Sequence, residues 1–350
     1  RDREADEGPS DHAGQDSGSA RMKAFTNSNP RDLPHALALI QQAQAAGQAA
    51  SIAGGGSDLL GMIKEQIVAP DVLIHLRTIK GLDAVAVEKG GLRIGGLTTL
   101  DALARHPVIR RQYAVLAEAA ESVATPQIRN VGTLAGNVAQ RPWCWYYRNG
   151  FPCFKAGGNQ CFSINGENQF HAIFGGGPSF IVHPSDTAPA LVALDAKFHI
   201  AGPSGRRVVA AHDFFVLPRQ NAVRENVLAS DEVLVSIEAP SASAGARSAY
   251  HKIMDREAWT HAVVSAAIVL EMDQQVCRSA RIVLGGVAPI PWRVPDAERL
   301  LAGRRITPEL AAQAGEIAIA EASPLAKNAY KVPLTKALVK RTVLELAERA

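Results

Sequence analysis

The sequence predicts an α+β protein with two parts, an alternating strand–helix half and a second half whose strands precede its helices. Three observations support this. Short strand-like runs alternate with helical runs up to residue 139, and two long strand-like runs over 261–288 precede helical sequence. Between these halves, residues 140–180 hold three cysteines and many aromatic residues and glycines with little periodicity. We therefore interpret 140–180 as an insertion that is not organised by an ordinary hydrophobic core.

Composition limits the function. The 350 residues are 47% hydrophobic and 20% charged, which is an ordinary globular balance. A net charge of +3 is too small to indicate a nucleic-acid partner, and no apolar run is long enough to predict a membrane span. Residues 1–21 are charged and rich in Gly and Ser, so we expect a disordered extension. This extension has no apolar stretch of the kind found in a secretory signal.

The first elements follow from periodicity and capping residues. Asp32 is a suitable N-cap for a helix that has Pro34 in its first turn and ends near Gly47. Ser57 is in the same position before a second helix. We expect strands at 22–25, 50–53, 72–76 and 91–97, and helices at 57–66, 98–106 and 113–124.

The later elements resume after the insertion. The pattern predicts a strand at 179–184, a helix at 186–196, a hairpin at 197–210 around Pro203–Ser204–Gly205, and a strand at 232–240. The small, polar run 241–248 reads as a linker. The strands of 261–288 turn at Asp273–Gln275, and two helices follow, the last beginning near Pro333.

A first glycine-rich loop lies between a strand and a helix. Gly54, Gly55 and Gly56 lack a Cβ, so the backbone can approach a ligand closely. The N–H groups of Gly55 to Asp58 can point at one anion, and a pyrophosphate suits that geometry. Leu59 stands where the G-x-G-x-x-G fingerprint requires its third glycine, which argues against a Rossmann site. The candidate ligand-binding residues are Ala53, Gly54, Gly55, Gly56, Ser57, Asp58 and Leu59.

A second loop of small and hydrogen-bonding residues follows a helix. Its candidate binding residues are Gly132, Thr133, Ala135, Gly136 and Asn137. Either loop alone is equally well explained as a tight turn. Together they fit a cofactor that lies extended between two subdomains.

The two loops resemble those of the FAD-binding subunits of molybdenum hydroxylases of the xanthine dehydrogenase type, and the insertion at 140–180 closely resembles the aldehyde oxidoreductase form of that family. In that family the first loop reads AGG-S and the second reads T-x-G-G-N. In this chain Ala135 replaces one glycine of the second loop. The resemblance implies a vanillyl-alcohol-oxidase-type (PCMH) FAD-binding fold of two α/β subdomains over 22–240, interrupted by the insertion. It also implies a carbon monoxide dehydrogenase flavoprotein-like C-terminal α+β domain over 248–350.

The same resemblance extends to four residues outside the loops. It implies that Ser185 and Asp186 face the flavin or its hydroxyl groups, that Leu234 packs on the isoalloxazine, and that Lys252 contacts the flavin. Each has a plainer alternative. Asp186 is a suitable helix N-cap, Leu234 a suitable core residue and Lys252 a suitable exposed strand residue.

The cysteines of the insertion follow the pattern C-x8-C-x7-C, which is too wide for the paired knuckles of a zinc ribbon. Thiolates suit iron–sulfur clusters, and the resemblance implies a [4Fe–4S] cluster on Cys144, Cys153 and Cys161. The related form carries a fourth cysteine, and Ser179 stands at that position in this chain. The alternatives are a cluster with Ser179 or another ligand such as His171 or His183, a three-iron cluster, or no cluster. The remote Cys277 reads as a structural cysteine.

The implied function is electron transfer from iron–sulfur centres through FAD to a terminal acceptor. It requires a large molybdenum-cofactor subunit, which would oxidise a substrate such as an aldehyde, and a small [2Fe–2S] subunit. The sequence contains no convincing catalytic triad, so we assign no catalytic residue. The implied location is the cytoplasm, or the periplasm after export with a partner. The competing hypotheses are a stand-alone flavin oxidase of the vanillyl-alcohol type and a scaffold that binds no cofactor.

Overall fold

The computed structural model describes residues 22–88, 90–257 and 260–349, so the predicted disordered extension at 1–21 lies outside the described residues. The strands are β1 Thr26–Ser28, β2 Ala50–Ala53, β3 Val72–His75, β4 Val85–Glu88, β5 Gly91–Gly95, β6 Lys197–Gly202, β7 Gly205–Ala210, β8 Val233–Pro240, β9 Ala246–Ile253, β10 Val264–Asp273, β11 Val276–Gly285, β12 Trp292–Arg293 and β13 Arg304–Arg305.

The helices alternate with these strands, and most of them lie before β8. They are α1 Leu33–Ala45, α2 Leu59–Lys64, α3 Leu100–Arg105, α4 Pro107–Gln112, α5 Ala114–Glu121, α6 Pro126–Arg129, α7 Leu134–Val138, α8 Trp145–Arg148, α9 Thr187–Ala193, α10 Ala211–Phe214, α11 Pro295–Leu301, α12 Pro308–Ala318 and α13 Lys331–Glu348. Short 3-10 turns occupy Leu76–Thr78 and Phe154–Ala156.

The first layer is a parallel three-stranded sheet in the order β1-β3-β2, with α1 against it. The Asp32 cap is confirmed, because its Oδ1 accepts a hydrogen bond from the His35 amide at 2.8 Å. The expected strand at 22–25 is wrong. Pairing begins at Thr26, which lies opposite Val72, so the apolar run before it joins no ladder.

The second layer is an antiparallel sheet in the order β4-β5-β8-β6-β7. The predicted hairpin at 197–210 forms β6 and β7, and Gly202 pairs with Gly205 across the turn. Helices α5 and α9 contribute to the core on this sheet, where Ile94, Leu116, Leu191 and Ile237 are fully buried.

The C-terminal sheet has the order β12-β11-β10-β9, with β13 paired to β11, and the predicted turn at Asp273–Gln275 joins β10 to β11. Three helices follow these strands, one more than expected, because the segment between them also folds as a helix. The last begins at Lys331, which places Pro333 in its first turn. Strand β9 begins at Ala246, so only the first part of the expected linker is irregular.

The insertion is largely irregular, as expected, with only α8 and one 3-10 turn. The strand expected at 179–184 is wrong. Its backbone makes isolated hydrogen bonds, from Ala172 N to Phe180 O and from His183 N to Ala288 O, rather than a ladder. Within the described ranges, no helix has both the length and the apolar character needed to cross a membrane.

Candidate functional site

The two glycine-rich loops lie in direct contact. A Cβ placed on Gly55 would lie 1.9 Å from the carbonyl oxygen of Val131, and one on Gly54 would lie 2.7 Å from Thr133 Oγ1. At Gly55 a larger residue would require the backbone of the second loop to move, whereas at Gly54 the Thr133 side chain would have to shift. The sequence therefore requires glycine at the first loop because the second loop packs against it.

The two loops differ in the donors they offer. In the described part of the chain, the amides of Gly55, Gly56, Ser57 and Asp58 donate no hydrogen bond to another protein group. In the second loop, the amides of Gly132, Leu134, Ala135, Gly136 and Asn137 all donate to acceptors within the protein. The first loop thus presents free donors, which backbone groups ordinarily satisfy with protein, water or a ligand.

The start of α2 differs from the expected cap. The helix begins at Leu59, and neither Ser57 nor Asp58 caps it with a side chain. Asp58 instead accepts hydrogen bonds from Arg148 Nη2 at 2.7 Å and from the Arg141 amide at 3.1 Å. The Ser57 cap is therefore wrong, because the adjacent carboxylate is paired with the insertion and the chain turns into the helix one residue later.

A cavity of about 510 Å³ opens beside the loops. Predicted residues from three separate segments line it, namely Gly54, Thr133, Ala135, Gly136 and Leu234. Leu234 is only 6% exposed and belongs to the core of the second sheet, so its core interpretation is correct and does not exclude contact with a ligand. The cavity and the free amides fit an extended nucleotide with a diphosphate.

Asn137 and Ser185 meet in a buried polar cluster. Asn137 Oδ1 accepts hydrogen bonds from Ser185 Oγ and from Thr187 Oγ1, both at 2.6 Å. Ser185 Oγ also accepts a hydrogen bond from the Ala188 amide at 3.0 Å. This cluster joins the second loop to the segment that leads into α9. Thr187 was not predicted, because nothing in the sequence indicates that its hydroxyl faces Asn137.

Asp186 and Lys252 form a buried ion pair. Lys252 Nζ lies 2.8 Å from Asp186 Oδ2, and the two side chains are 2% and 5% exposed. Tyr250, another residue absent from the prediction, donates to Asp186 Oδ1 at 2.6 Å. Burial and the Asp186 charge raise the pKa of Tyr250 well above its usual value. Asp186 occupies the N-cap position of α9 as its alternative role requires, but its side chain makes no capping hydrogen bond. The alternative for Lys252 is wrong, because its side chain is not exposed.

One of the three cysteines of the insertion lies near an imidazole and another near a hydroxyl. Cys144 Sγ is 3.4 Å from His171 Nε2, and Cys161 Sγ is 3.1 Å from Ser163 Oγ. Burial, with smaller contributions from the nearby Cys153 and Cys161, raises the pKa of Cys144 to about 11. Burial lowers the pKa of His171 to about 4, so the imidazole is neutral at physiological pH.

In the portion of the chain that the structure describes, no three His, Cys, Asp or Glu side chains are grouped closely enough to hold one metal ion. Thiols are side chains that soft metal ions and iron–sulfur clusters bind, and Cys153 and Cys161 lie close enough to Cys144 to influence its pKa. Cys277 is separate and structural, since it is fully buried in β11 and its Sγ donates to Ser279 O.

A second cavity, of about 430 Å³, separates the cysteine segment from the ion pair. Its lining includes Cys144 and His171 on one side and His183, Ser185 and Asp186 on the other. The ring nitrogens His171 Nδ1 and His183 Nε2 are buried without a hydrogen-bond partner in the described residues. Burial lowers the pKa of His183 to about 3.

A charged network, which the sequence did not predict, ties the insertion to the first loop. Arg148 contacts Asp58, as noted, and Glu65 at 3.4 Å. Lys155 contacts Glu225 at 2.7 Å, and Arg141 reaches the same carboxylate at 3.2 Å. Burial lowers the pKa of Lys155 and the Glu225 charge opposes this shift. These three cations and three carboxylates balance one another across segments that are distant in sequence.

Two family models together match most of the chain. The model described as "FAD binding domain in molybdopterin dehydrogenase" matches residues 23–242. The model described as "CO dehydrogenase flavoprotein C-terminal domain" matches residues 249–346.

Individual relatives agree with these matches. The chain is 35% identical over 334 residues to the aldehyde oxidoreductase FAD-binding subunit PaoB of Escherichia coli K12, covering 94% of this chain and 100% of the relative. It is 29% identical to the carbon monoxide dehydrogenase medium chain of Hydrogenophaga pseudoflava, covering 90% and 94%. A solved carbon monoxide dehydrogenase of the latter organism superposes with a TM-score of 0.74 at 28% identity, covering 93% and 98%.

Proposed function

The chain belongs to the family of FAD-binding subunits of molybdopterin dehydrogenases, and from this premise we propose that its two contacting loops hold the FAD through which it passes electrons from iron–sulfur partners. The α+β architecture and both domain matches support this function over a stand-alone flavin oxidase. We also propose that the FAD-binding domain spans 22–240, with the insertion at 140–180, and that the C-terminal domain spans 248–350.

The observation that carries the assignment is the set of four free amides at Gly55 to Asp58, beside a second loop whose amides are mostly occupied. These donors bind the diphosphate, and Ala53, Gly54 and Leu59 complete the loop. Gly132, Thr133, Ala135 and Gly136 form the opposite wall, where Thr133 contributes its own amide. Our proposal therefore gives the two loops unequal roles, with the hydrogen bonds coming mainly from the first.

The remaining residues orient the flavin ring. FAD, when bound, takes up and gives out electrons singly or in pairs. The Lys252 ammonium favours negative charge on the ring, and Asp186 and Tyr250 keep that ammonium in place. Asn137 and Ser185 hold the second loop against the segment that carries Asp186. Leu234 provides an apolar surface for the ring.

We propose that Cys144, Cys153 and Cys161 hold a [4Fe–4S] cluster. The electrostatic proximity of the three thiols and the burial of Cys153 support this finer assignment.

The partners follow from the relatives, which are named as the FAD-binding subunit of an aldehyde oxidoreductase and the medium chain of carbon monoxide dehydrogenase. We propose a large molybdenum-cofactor subunit that oxidises an aldehyde and a small [2Fe–2S] subunit that relays the electrons. The complex functions in the cytoplasm, or in the periplasm after export with a partner.

The test is anaerobic reduction. The purified chain is expected to release one FAD on denaturation, and the flavin absorbance is expected to bleach when an aldehyde is added to the complete three-subunit complex. The isolated FAD-loaded chain is the control and should remain oxidised. Bleaching of the isolated chain by the aldehyde would instead indicate a self-sufficient oxidase, and a folded chain that binds no FAD would refute the proposal.

A further inference from the structure

We propose that the second cavity, of about 430 Å³, binds the terminal electron acceptor, and that this acceptor is a quinone, a flat and uncharged ring with carbonyl oxygens. This inference rests on the proposed function, which puts the flavin ring beside Lys252, and it adds the chemical class of the acceptor. The cavity borders that ring position, because Asp186 both lines the cavity and pairs with Lys252 at 2.8 Å.

Aromatic rings form one wall and the mouth of the cavity. The Trp143 ring is held by Arg148, whose Cζ lies 4.3 Å from its centroid, and by the His261 ring at 5.4 Å. Trp145 and Phe170 also line the cavity, and they are 65% and 53% exposed. The volume is in the range of about 300–1,000 Å³ that is usual for small-molecule sites, and such rings stack on a flat ligand.

Two buried imidazoles line the interior and have a nitrogen without a partner. The Ser185 amide donates to His183 Nδ1 at 3.4 Å, so the neutral ring carries its proton on Nε2. That Nε2 is buried and has no hydrogen-bond partner in the described residues, and the same is true of His171 Nδ1. A buried donor without an acceptor destabilises the protein, and a carbonyl oxygen of a bound quinone would satisfy it.

The charges around the cavity favour an uncharged ligand over a dinucleotide. Among the described residues that line it, the only ones that are charged at neutral pH are the carboxylates Glu167, Asp186 and Asp255, and none is Lys or Arg. Glu167 and Asp186 are paired with Lys327 and Lys252. The phosphates of a nicotinamide dinucleotide would therefore meet carboxylates and no cation in the lining, whereas a quinone brings no charge.

The cavity is held open by a buried lysine outside its lining. Lys331 Nζ donates to the carbonyl oxygens of Phe170 at 3.0 Å, His171 at 3.1 Å and Gly286 at 2.7 Å, and these three residues all line the cavity. Lys331 is fully buried, so these contacts fix two segments of the wall from the C-terminal helix. A site that is formed before its ligand arrives loses less entropy on binding.

The redox step balances without a further reagent. The quinone takes two electrons from the reduced flavin and two protons, from the flavin and from solvent, and becomes a hydroquinone. The flavin returns to its oxidised form.

The experiment measures binding of 1,4-naphthoquinone to the FAD-loaded full chain by isothermal titration calorimetry, with NAD⁺ as a second ligand. The variants are Phe170→Ala and His183→Leu. The matched control is Ile164→Ala, because Ile164 is a 42% exposed apolar residue of the insertion that does not line the cavity. FAD is counted on each sample, and circular dichroism confirms that each variant is folded.

The same samples are then reduced and mixed rapidly with 1,4-naphthoquinone or with ferricyanide. Reoxidation of the flavin is followed by its absorbance. Ferricyanide is a charged one-electron acceptor, so its reaction is not expected to depend on an aromatic cavity.

We expect Phe170→Ala and His183→Leu each to weaken naphthoquinone binding at least about fivefold, whereas Ile164→Ala leaves it unchanged and NAD⁺ does not bind. At subsaturating naphthoquinone, reoxidation should slow by a similar factor in the two cavity variants, and the ferricyanide reaction should stay the same. An FAD-loaded chain that does not bind naphthoquinone, or that binds NAD⁺ more tightly, would overturn the inference and leave the flavin proposal intact. Equal naphthoquinone binding in all four proteins would also overturn it, whereas a folded chain without FAD would refute the proposed function and this acceptor role together.

Discussion

Among single residues, Lys252 is distinguished by a buried ion pair with Asp186. Removing one partner of such a pair leaves the other charged and desolvated. From the sequence alone, an exposed position on a strand explained this lysine equally well. Its partner is 66 positions away, and only the fold brings the two together.

We predict that Lys252→Met lowers the free energy of unfolding by about 3–5 kcal/mol, because Asp186 would remain buried without its cation. Urea denaturation measures the change, and adding Asp186→Asn should recover part of the loss. The matched control is Lys197→Met, an exposed strand lysine, which should change stability by less than about 0.5 kcal/mol. Equal effects of the two single variants would contradict the buried pair.

His183 makes stability depend on pH. Burial lowers its pKa from 6.5 to about 3, so the folded state resists a proton that the unfolded state binds. Between these two pH values the unfolded chain binds more protons than the folded one. The contribution of His183 to the free energy of unfolding is therefore complete above pH 6.5 and decreases as the pH falls toward 3, by up to about 1.4 kcal/mol per pH unit.

His183→Leu should therefore reduce the slope of unfolding free energy against pH between about 6 and 4. Urea titrations of both proteins at several pH values measure this slope. Identical slopes would mean that His183 takes up its proton equally in the folded and unfolded states.

At the scale of elements, the insertion is attached to the first loop by Arg148. The side chain of Arg148 is 5% exposed and contacts Asp58 and Glu65, which flank α2 at its two ends. The sequence predicted α2 but placed a serine cap at its start. It could not reveal that Asp58 is paired with an arginine 90 positions away. By contrast, β2 and the Asp32 cap were predicted correctly, because neighbouring residues determine them.

We predict that Arg148→Met speeds amide hydrogen exchange across the insertion by at least about fivefold, because losing a charged hydrogen bond costs about 1–3 kcal/mol of local stability. Arg105→Met is the matched control, since the Arg105 side chain is 76% exposed on α3. In Arg105→Met, the amides of the insertion should exchange at the same rate as in the unaltered chain. The attachment is contradicted if Arg148→Met leaves the exchange of the insertion unchanged.

At the scale of the whole molecule, the candidate site assembles where segments of both domains meet. The first loop follows β2, the second continues into α7, which contains Ala135 to Asn137, and Lys252 lies on β9 of the C-terminal sheet. The alternation of strands and helices predicted the fold class. It could not predict that Val131 and Gly55 touch, although the composition of the two loops suggested that they share one cofactor.

The most direct test of the account is FAD affinity in Gly55→Ala compared with Gly61→Ala, measured by fluorescence titration of folded full-length chains. A Cβ at position 55 would lie 1.9 Å from Val131 O, whereas one at position 61 in α2 meets nothing within 4 Å. We predict that Gly55→Ala weakens FAD binding at least about tenfold, equivalent to about 1.4 kcal/mol, and that Gly61→Ala leaves it unchanged. A folded Gly55→Ala chain that binds FAD as tightly as Gly61→Ala would contradict the claim that the two contacting loops form the FAD site.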